Sequence, residues 1–363
     1  MKEHSEAGQR PLSAAGRWLC VFVLLSVGWV QAGARDSRLD LYWIDVEGGA
    51  ATLIVTPGGE SVLIDAGNPG FRDPERIVRV ATKVAGLRKI DHLIITHYHG
   101  DHFGGAAALS KLLPIGTVYD NGVFAGMPND PGKDYFDFRC DRRVVVQPGM
   151  EIAWRLQPPA ATPPCRLAFV GARQQFIRPS ADTPENADLC ASARSKDRDG
   201  SDNANSIVTL LTFGPFRFFD AGDLTWNREQ DLVCPRNLVG QVDVYQVTHH
   251  GLDSSNNPLV LRSLLPTVAI MNNGAQKGCL PDVFAALRDT PSIEATYQLH
   301  KNLRPDGAMN NVAAEYIANQ ESDKSCRGNH IELSVDPQGA EYVVRIPATG
   351  HQRKFVTRVT PRS

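Results

Sequence analysis

The sequence has no apolar run long enough to cross a membrane as an ordinary helix. Its longest, Trp18 to Val30, holds 13 residues, against about 20 for a spanning helix. No multi-span channel segment is present. Neither sign of charge dominates: 38 Lys and Arg face 40 Asp and Glu, for a formal net charge of −2. No global field therefore draws the chain onto nucleic acid. Small basic clusters, Arg142-Arg143 and Arg353-Lys354, read as plain surface. None of the seven cysteines belongs to a C-x-x-C pair, which argues against a thiolate metal site.

The first 34 residues read as a signal peptide. Lys2, Arg10 and Arg17 give a positive start, the apolar run follows, and Ala32-Gly33-Ala34 is a small-x-small cleavage site. Cleavage is predicted after Ala34; the alternative is an uncleaved anchor. Cys20 opens the apolar run rather than following it, which does not fit a lipoprotein anchor. The expected location is exported, periplasmic or secreted, with no stable membrane insertion after cleavage. Six cysteines then remain: Cys140, Cys165, Cys190, Cys234, Cys279 and Cys326. A dispersed even set in an exported chain suggests disulfides, whose pairing sequence does not decide. Residues 35–363 are read as one layered domain.

What is abundant is metal-ligating chemistry in one short stretch. His97, His99, Asp101 and His102 fall within six positions, directly after the apolar run Asp91 to Ile95 and before Gly104-Gly105. That spacing is too tight for one helix face and predicts a loop between a strand and the helix Ala106 to Leu113. Imidazole and carboxylate suit a borderline divalent cation. Upstream, Leu39–Val46, Ala51–Thr56 and Ser61–Asp65 read as an antiparallel meander, and Pro74–Leu87 as an amphipathic helix. The meander ends at Asp65, which also reads as a turn aspartate before Gly67.

From Val118 to about Asn205 the pattern weakens. Val144–Val146, Glu151–Leu156 and Leu167–Val170 are candidate strands, and Cys140, Cys165 and Cys190 are placed to staple the stretch. Order returns with a hairpin, Ile207–Leu211 and Phe216–Asp220, ending at Asp223. Asp223 also suits an N-cap for the helix Trp226–Leu232. The strand Asp243–Val247 runs into His249-His250-Gly251. Thr267–Met271 and Ala295–Leu299 are further strands, with the helix Asp282–Arg288 between them. Ile331–Val335 and Glu341–Ile346 form a closing hairpin, and the basic tail His351–Arg358 is a solvated edge.

The run His-x-His-x-Asp-His after a buried strand resembles the metal motif of the metallo-β-lactamase superfamily. Trp43-Ile44-Asp45-Val46-Glu47-Gly48-Gly49, Asn205-Ser206 before Gly222-Asp223, and His249-His250-Gly251 before Ser254-Ser255 resemble the free-standing relatives of ComEC-type metallohydrolase domains. The resemblance implies an α+β fold, an αββα four-layer sandwich. It implies two divalent metal ions, Zn or Mn. His97, His99 and Asp223 would hold one, and Asp101, His102, Asp223 and His250 the other. Asp65 and Asn205 would support these ligands from behind. His250 is taken as the ligand of its pair and His249 as the residue facing substrate; the exchange of the two stays open. No histidine occurs between His102 and His249, where most of the superfamily has a further ligand. The turn Glu47-Gly48-Gly49 also departs from the usual ComEC-like Gly-Gln-Gly or Gly-Asn-Gly.

The implied activity is metal-dependent hydrolysis of a phosphodiester, nucleic acid or small molecule, by a hydroxide between the metals. Asp101 and His249 would assist the leaving group. The alternatives are hydrolysis of a lactone, β-lactam or thioester, or metal-stabilised binding without turnover.

Overall fold

Alternation along the first strand shows how the layers form. Leu39, Leu41 and Trp43 point into the space between two sheets, while Tyr42 and Ile44 point to the helices outside. Successive strand side chains face opposite ways, so a strand apolar on both faces must be covered on both. The computed structural model describes residue 1 and residues 36–156, 160–321 and 326–358. Apart from Met1, the predicted signal peptide lies outside the described residues.

In chain order the strands are β1 (Leu39–Trp43), β2 (Thr52–Val55), β3 (Ser61–Ile64), β4 (Ile90–Ile94), β5 (Ile115–Asp120), β6 (Arg142–Val145), β7 (Cys165–Ala172), β8 (Gln175–Phe176) and β9 (Val208–Phe213). There follow β10 (Phe216–Asp220), β11 (Val244–Gln246), β12 (Val268–Met271), β13 (Ala295–His300), β14 (Ile317–Asn319), β15 (Ile331–Val335), β16 (Glu341–Ile346) and β17 (His351–Val356). One sheet runs β17-β16-β15-β1-β2-β3-β4-β5-β6, the other β14-β13-β12-β11-β10-β9-β7-β8. The meander β1–β3 is antiparallel, with Tyr42 opposite Leu53 and Leu53 opposite Leu63. Strands β3 to β6 are parallel, as are β10 to β14.

The central core between the sheets includes Leu39, Trp43, Phe213, Phe218 and Val335, all essentially inaccessible. Burying side chains of this size contributes about 2–3 kcal/mol each relative to leaving them in water. Trp43 also ties the sheets together, its Nε1–H donating to Gln246 Oε1 at 2.5 Å. Two outer cores cover the far faces. Ile77, Val80 and Leu109 pack on the first sheet; Leu232, Leu261 and Leu287 pack on the second. The result is the four-layer αββα sandwich.

Several sequence expectations shift here. The helix predicted over 74–87 is α-helical over Arg72–Arg79 and π-helical over Val80–Val84. Glu151–Leu156 is not a strand, and only Glu151 bridges to Ala168. Backbone bonds to β7 are made at Gly149, Met150 and Ile152 and are not continued toward Leu156, so no ladder forms. The tail His351–Val356 pairs with β16, with Gln352 and Lys354 outward, as charged edge strands do. Among the described cysteines only Cys190 and Cys234 are joined, 44 positions apart. Cys140, Cys165, Cys279 and Cys326 are free. Of the three cysteines expected to staple the irregular stretch, Cys190 alone does so. Cys165 and Cys279 sit in apolar packing, and burial pushes both thiols up to about 12.

Candidate metal centre

Four loops, each following a strand, meet at one place. Those after β3 and β4 come from the first sheet, and those after β10 and β11 from the second. Backbone bonds lock them together. Ala66 N donates to His102 O at 2.7 Å, His249 N to Gly222 O at 3.0 Å, and Ile207 N to Thr96 O at 2.9 Å across the sandwich. Gly222 allows the approach of Asp223. At φ +54° its backbone passes so close to Thr96 that a Cβ would lie 2.8 Å from the threonine Cβ. Asp65, His249 and His250 also hold positive φ, at 62°, 54° and 54°. Such conformations cost about 1–3 kcal/mol each and persist where the surroundings enforce them.

The histidines are oriented from outside. His102 Nδ1–H donates to Asp65 Oδ2 at 2.6 Å. Thr96 Oγ1 donates to the same carboxylate at 2.8 Å and faces His97 Nδ1 at 3.1 Å. His250 Nδ1 faces Asn272 O at 3.3 Å. With the Nδ1 atoms of His97, His102 and His250 engaged outward, their Nε2 atoms turn inward. His102 Nε2 lies 3.2 Å from His250 Nε2, and His97 Nε2 lies 3.1 Å from His99 Nδ1. Asp223 Oδ2 stands 3.1 Å from His102 Nε2, 3.4 Å from His250 Nε2 and 3.9 Å from His97 Nε2.

Two sets of donor atoms result, each within 4.8 Å: Asp101, His102, Asp223 and His250, and His97, His99 and Asp223. Asp223 belongs to both. Imidazole nitrogens that face each other across about 3 Å cannot both carry a hydrogen between them. A cation resolves that repulsion, and nitrogen with carboxylate oxygen is the donor set divalent cations take. The donor types in both sets fit a divalent cation.

The electrostatics agree. Burial opposes charge on His102, but Asp223, Asp65 and Asp101 hold its proton affinity well above the usual histidine range. Burial likewise opposes ionisation of Asp223, yet the charges of His102, His249 and His250 bring it well below the carboxylate range. Burial, then neighbouring His102, lowers His97 well below its ordinary value. Without cations the carboxylates recruit protons onto imidazoles, and positive charge collects where metal charge belongs.

His249 lies apart from its neighbour. Its Nε2 is 3.4 Å from Asp223 Oδ2, and Nδ1 is within 3.1 Å of both Ser254 and Ser255 hydroxyls. Burial lowers its proton affinity. Asp223 is not a helix cap, since Thr225 occupies the N-cap of Trp226–Val233. Asn205 does not touch a histidine. It donates to Asp202 Oδ1 at 2.9 Å, and Asp202 Oδ2 accepts from Tyr98 N at 2.6 Å, so it braces the histidine loop through Asp202. Asn203 makes the contact instead, its Nδ2 3.3 Å from His249 Nε2 and its Oδ1 buried without a partner. Sequence reading missed Lys277, whose Nζ donates to Asp101 Oδ2; no local pattern around it signals a site.

Comparison with known proteins places this geometry. Residues 44–166 match the profile of the metallo-beta-lactamase superfamily, which covers the histidine loop but not Asp223 or His250. The chain is 25% identical over 258 residues to the competence protein ComA of Neisseria gonorrhoeae, spanning 69% of this chain and 30% of that protein. It is 27% identical over 258 residues to recombination protein 2 of Haemophilus influenzae, spanning 70% of this chain and 26% of that one. Over 85 residues it is 32% identical to a metal-dependent hydrolase of Cupriavidus necator, 23% of this chain and 27% of that one. The chain thus spans less than a third of the length of these relatives. The profile match over residues 44–166, the four-layer fold and the convergent ligand loops agree, and all three liken this chain to the metallo-β-lactamase superfamily.

Proposed function

We propose that this protein is a metal-dependent hydrolase that cleaves a phosphodiester with two divalent cations, zinc or manganese, held side by side. The observation that carries the reading is Asp223, one carboxylate common to both donor sets. His97, His99 and Asp223 would hold one cation; Asp101, His102, Asp223 and His250 the other. When bound, a cation pair acidifies water and neutralises charge on both the attacking and the leaving oxygen of a phosphoryl displacement. Asp65, Thr96 and Asn272 keep the imidazoles turned toward that pair. His249, kept neutral by burial and fixed by Ser254 and Ser255, faces the same space with the Asn203 amide. Both are placed to hydrogen-bond an oxygen of the substrate. The likeness to proteins named for competence and recombination supports a phosphodiester over an acyl substrate.

The same proposal places the protein outside the cytoplasm. The leader-like residues 1–34 and the Cys190–Cys234 disulfide support export, because such bonds persist in oxidising compartments.

The test is a substrate panel on metal-loaded protein: bis-p-nitrophenyl phosphate against nitrocefin and a simple lactone, with Mn²⁺ or Zn²⁺. The expected outcome is turnover of the diester, lost in His97→Ala. Turnover of nitrocefin or the lactone alone overturns the phosphodiester reading. Metal binding with no turnover of any of the three overturns it in favour of a binding protein.

A further inference from the structure

Lys277 lies on the loop between β12 and the helix Pro281–Arg288, far in sequence from every ligand on the first sheet. Its ammonium donates to Asp101 Oδ2, and that oxygen is 3.2 Å from His250 Nε2. The contact sits at the mouth of the site, with the Lys277 side chain 39% accessible and that of Asp101 20%.

The loop that carries it is braced on three sides. Gly274 N donates to Lys277 O at 2.9 Å, and Asn273 Nδ2 donates to His300 O at 2.7 Å. Arg304 Nη2 donates to Cys279 O at 3.0 Å. Gly278, at φ +78°, lies so close to the loop after β11 that a Cβ would meet His250 O at 1.9 Å. Cys279 N donates to that same carbonyl. The backbone of Lys277 is therefore registered against the ligand loop, and only the side chain can swing. A lysine offers a compact charge and three donors on a flexible stem.

We propose that Lys277 selects substrates carrying a negative charge beside the scissile bond, by pairing its ammonium with a non-bridging oxyanion. With Asp101 engaged as a metal ligand its charge would be offset, and the Lys277 ammonium would be free to pair with the substrate. The inference rests on the metal-dependent phosphodiester reading and names what selects the substrate. It makes Lys277 a specificity-determining residue, since a neutral ester offers it nothing to pair with.

The experiment compares metal-loaded wild type, Lys277→Gln and Lys277→Arg. Inorganic phosphate is titrated by calorimetry, bound metal is counted by elemental analysis, and KM and kcat are measured with bis-p-nitrophenyl phosphate and with neutral p-nitrophenyl acetate. Loss of a charged hydrogen bond weakens phosphate binding to Lys277→Gln roughly ten- to hundredfold. Lys277→Arg stays within about threefold of wild type, because the charge is kept. Metal content is equal in all three, KM for the diester rises, and any turnover of the neutral ester is unchanged. The proposal is overturned if phosphate binds Lys277→Gln as tightly as wild type, if that variant loses metal, or if the neutral ester suffers as much as the diester. A wild type that cleaves no diester defeats the reading above, and the phosphate titration still decides the role of Lys277.

Discussion

Among the described residues, two clusters contain metal-ligand residue types, and only one of these is built to receive cations. Asp45, His300 and Cys326 lie within 4.8 Å of one another, as closely as the donor sets around Asp223. Their hydrogens point the other way. His300 Nε2–H donates inward to Asp45 Oδ1 at 2.6 Å, and Glu47 N donates to the same oxygen at 2.9 Å. Arg76 Nη1 and Cys326 Sγ donate to Asp45 Oδ2 at 2.9 and 3.1 Å. Burial opposes charge on His300, but the bond to Asp45 overrides it and pushes the imidazole up to about 9. Asp45 is thus saturated by an imidazolium, a guanidinium, a thiol and an amide. Around Asp223 the Nδ1 atoms of His97, His102 and His250 bond outward, and their Nε2 atoms turn toward the one carboxylate that both donor sets share. Where the protons lie, more than which residues gather, separates a metal centre from a buried ion network.

Asp223→Ala should break the first cluster outright. Removing one charge-stabilising group from a site of this kind costs about 10²–10³ in rate. Asp223 serves both donor sets, so hydrolysis is expected to fall roughly a thousandfold or more. Elemental analysis should show bound metal dropping from two equivalents to one or none. A variant that keeps two equivalents would remove Asp223 from the centre and leave the contrast without its basis.

The two clusters were unequally legible in the sequence. Four of the ligand-type residues stand within six positions after an apolar strand, so local spacing alone marked His97 to His102. Asp223 and His250 emerged because each follows a strand end, although their approach to that loop is a property of the sandwich. Asp45–His300–Cys326 did not show as a cluster. Asp45 stands in the opening run Trp43 to Gly49, but the members are separated by 255 and 26 positions, and neither His300 nor Cys326 stands in a patterned run. Lys277 was missed for the same reason, since it reaches the site through backbone packing of a distant loop. The fold was readable wherever periodicity was strong. In 118–205 it was readable only in part: the candidates at Val144–Val146 and Leu167–Val170 fall on β6 and β7, but β7 and β9 pair across an irregular excursion and the Cys190–Cys234 bond gives an order that hydrophobic pattern does not.

The second cluster should answer to stability instead of metal. Arg76 and Asp45 are nearly inaccessible, and removing one partner of a buried pair costs about 3–5 kcal/mol. Arg76→Ala should therefore lower the denaturant midpoint sharply while two metal equivalents remain bound. The pH response follows from His300. Its folded value, about 9, lies above the ordinary 6.5, so the folded state holds the proton more tightly than the unfolded chain. Its contribution is complete below about pH 6.5 and is lost as pH rises through about 9, at most about 3 kcal/mol. Unfolding curves at pH 6.5 and pH 10 should show that loss in wild type and a much smaller one in His300→Gln. A wild type equally stable at both pH values would mean that the imidazole is neutral and the pair is not ionic.

The smallest effect belongs to Cys326→Ser, and it separates the clusters most cleanly. The thiol is one of four donors to Asp45, at 3.1 Å, and a serine hydroxyl donates to the same carboxylate. With the carboxylate still satisfied, the expected cost is about 1 kcal/mol or less. If Asp45, His300 and Cys326 were a metal site, the sulfur would be its softest ligand, and its loss would release a third equivalent of zinc. An ion network has no such equivalent to release. Elemental analysis of wild type and Cys326→Ser, prepared side by side with excess zinc and then desalted, should return two equivalents for both. Three equivalents in wild type falling to two in the variant would mean that proximity of ligand types is enough, and that proton placement is not what distinguishes the two clusters.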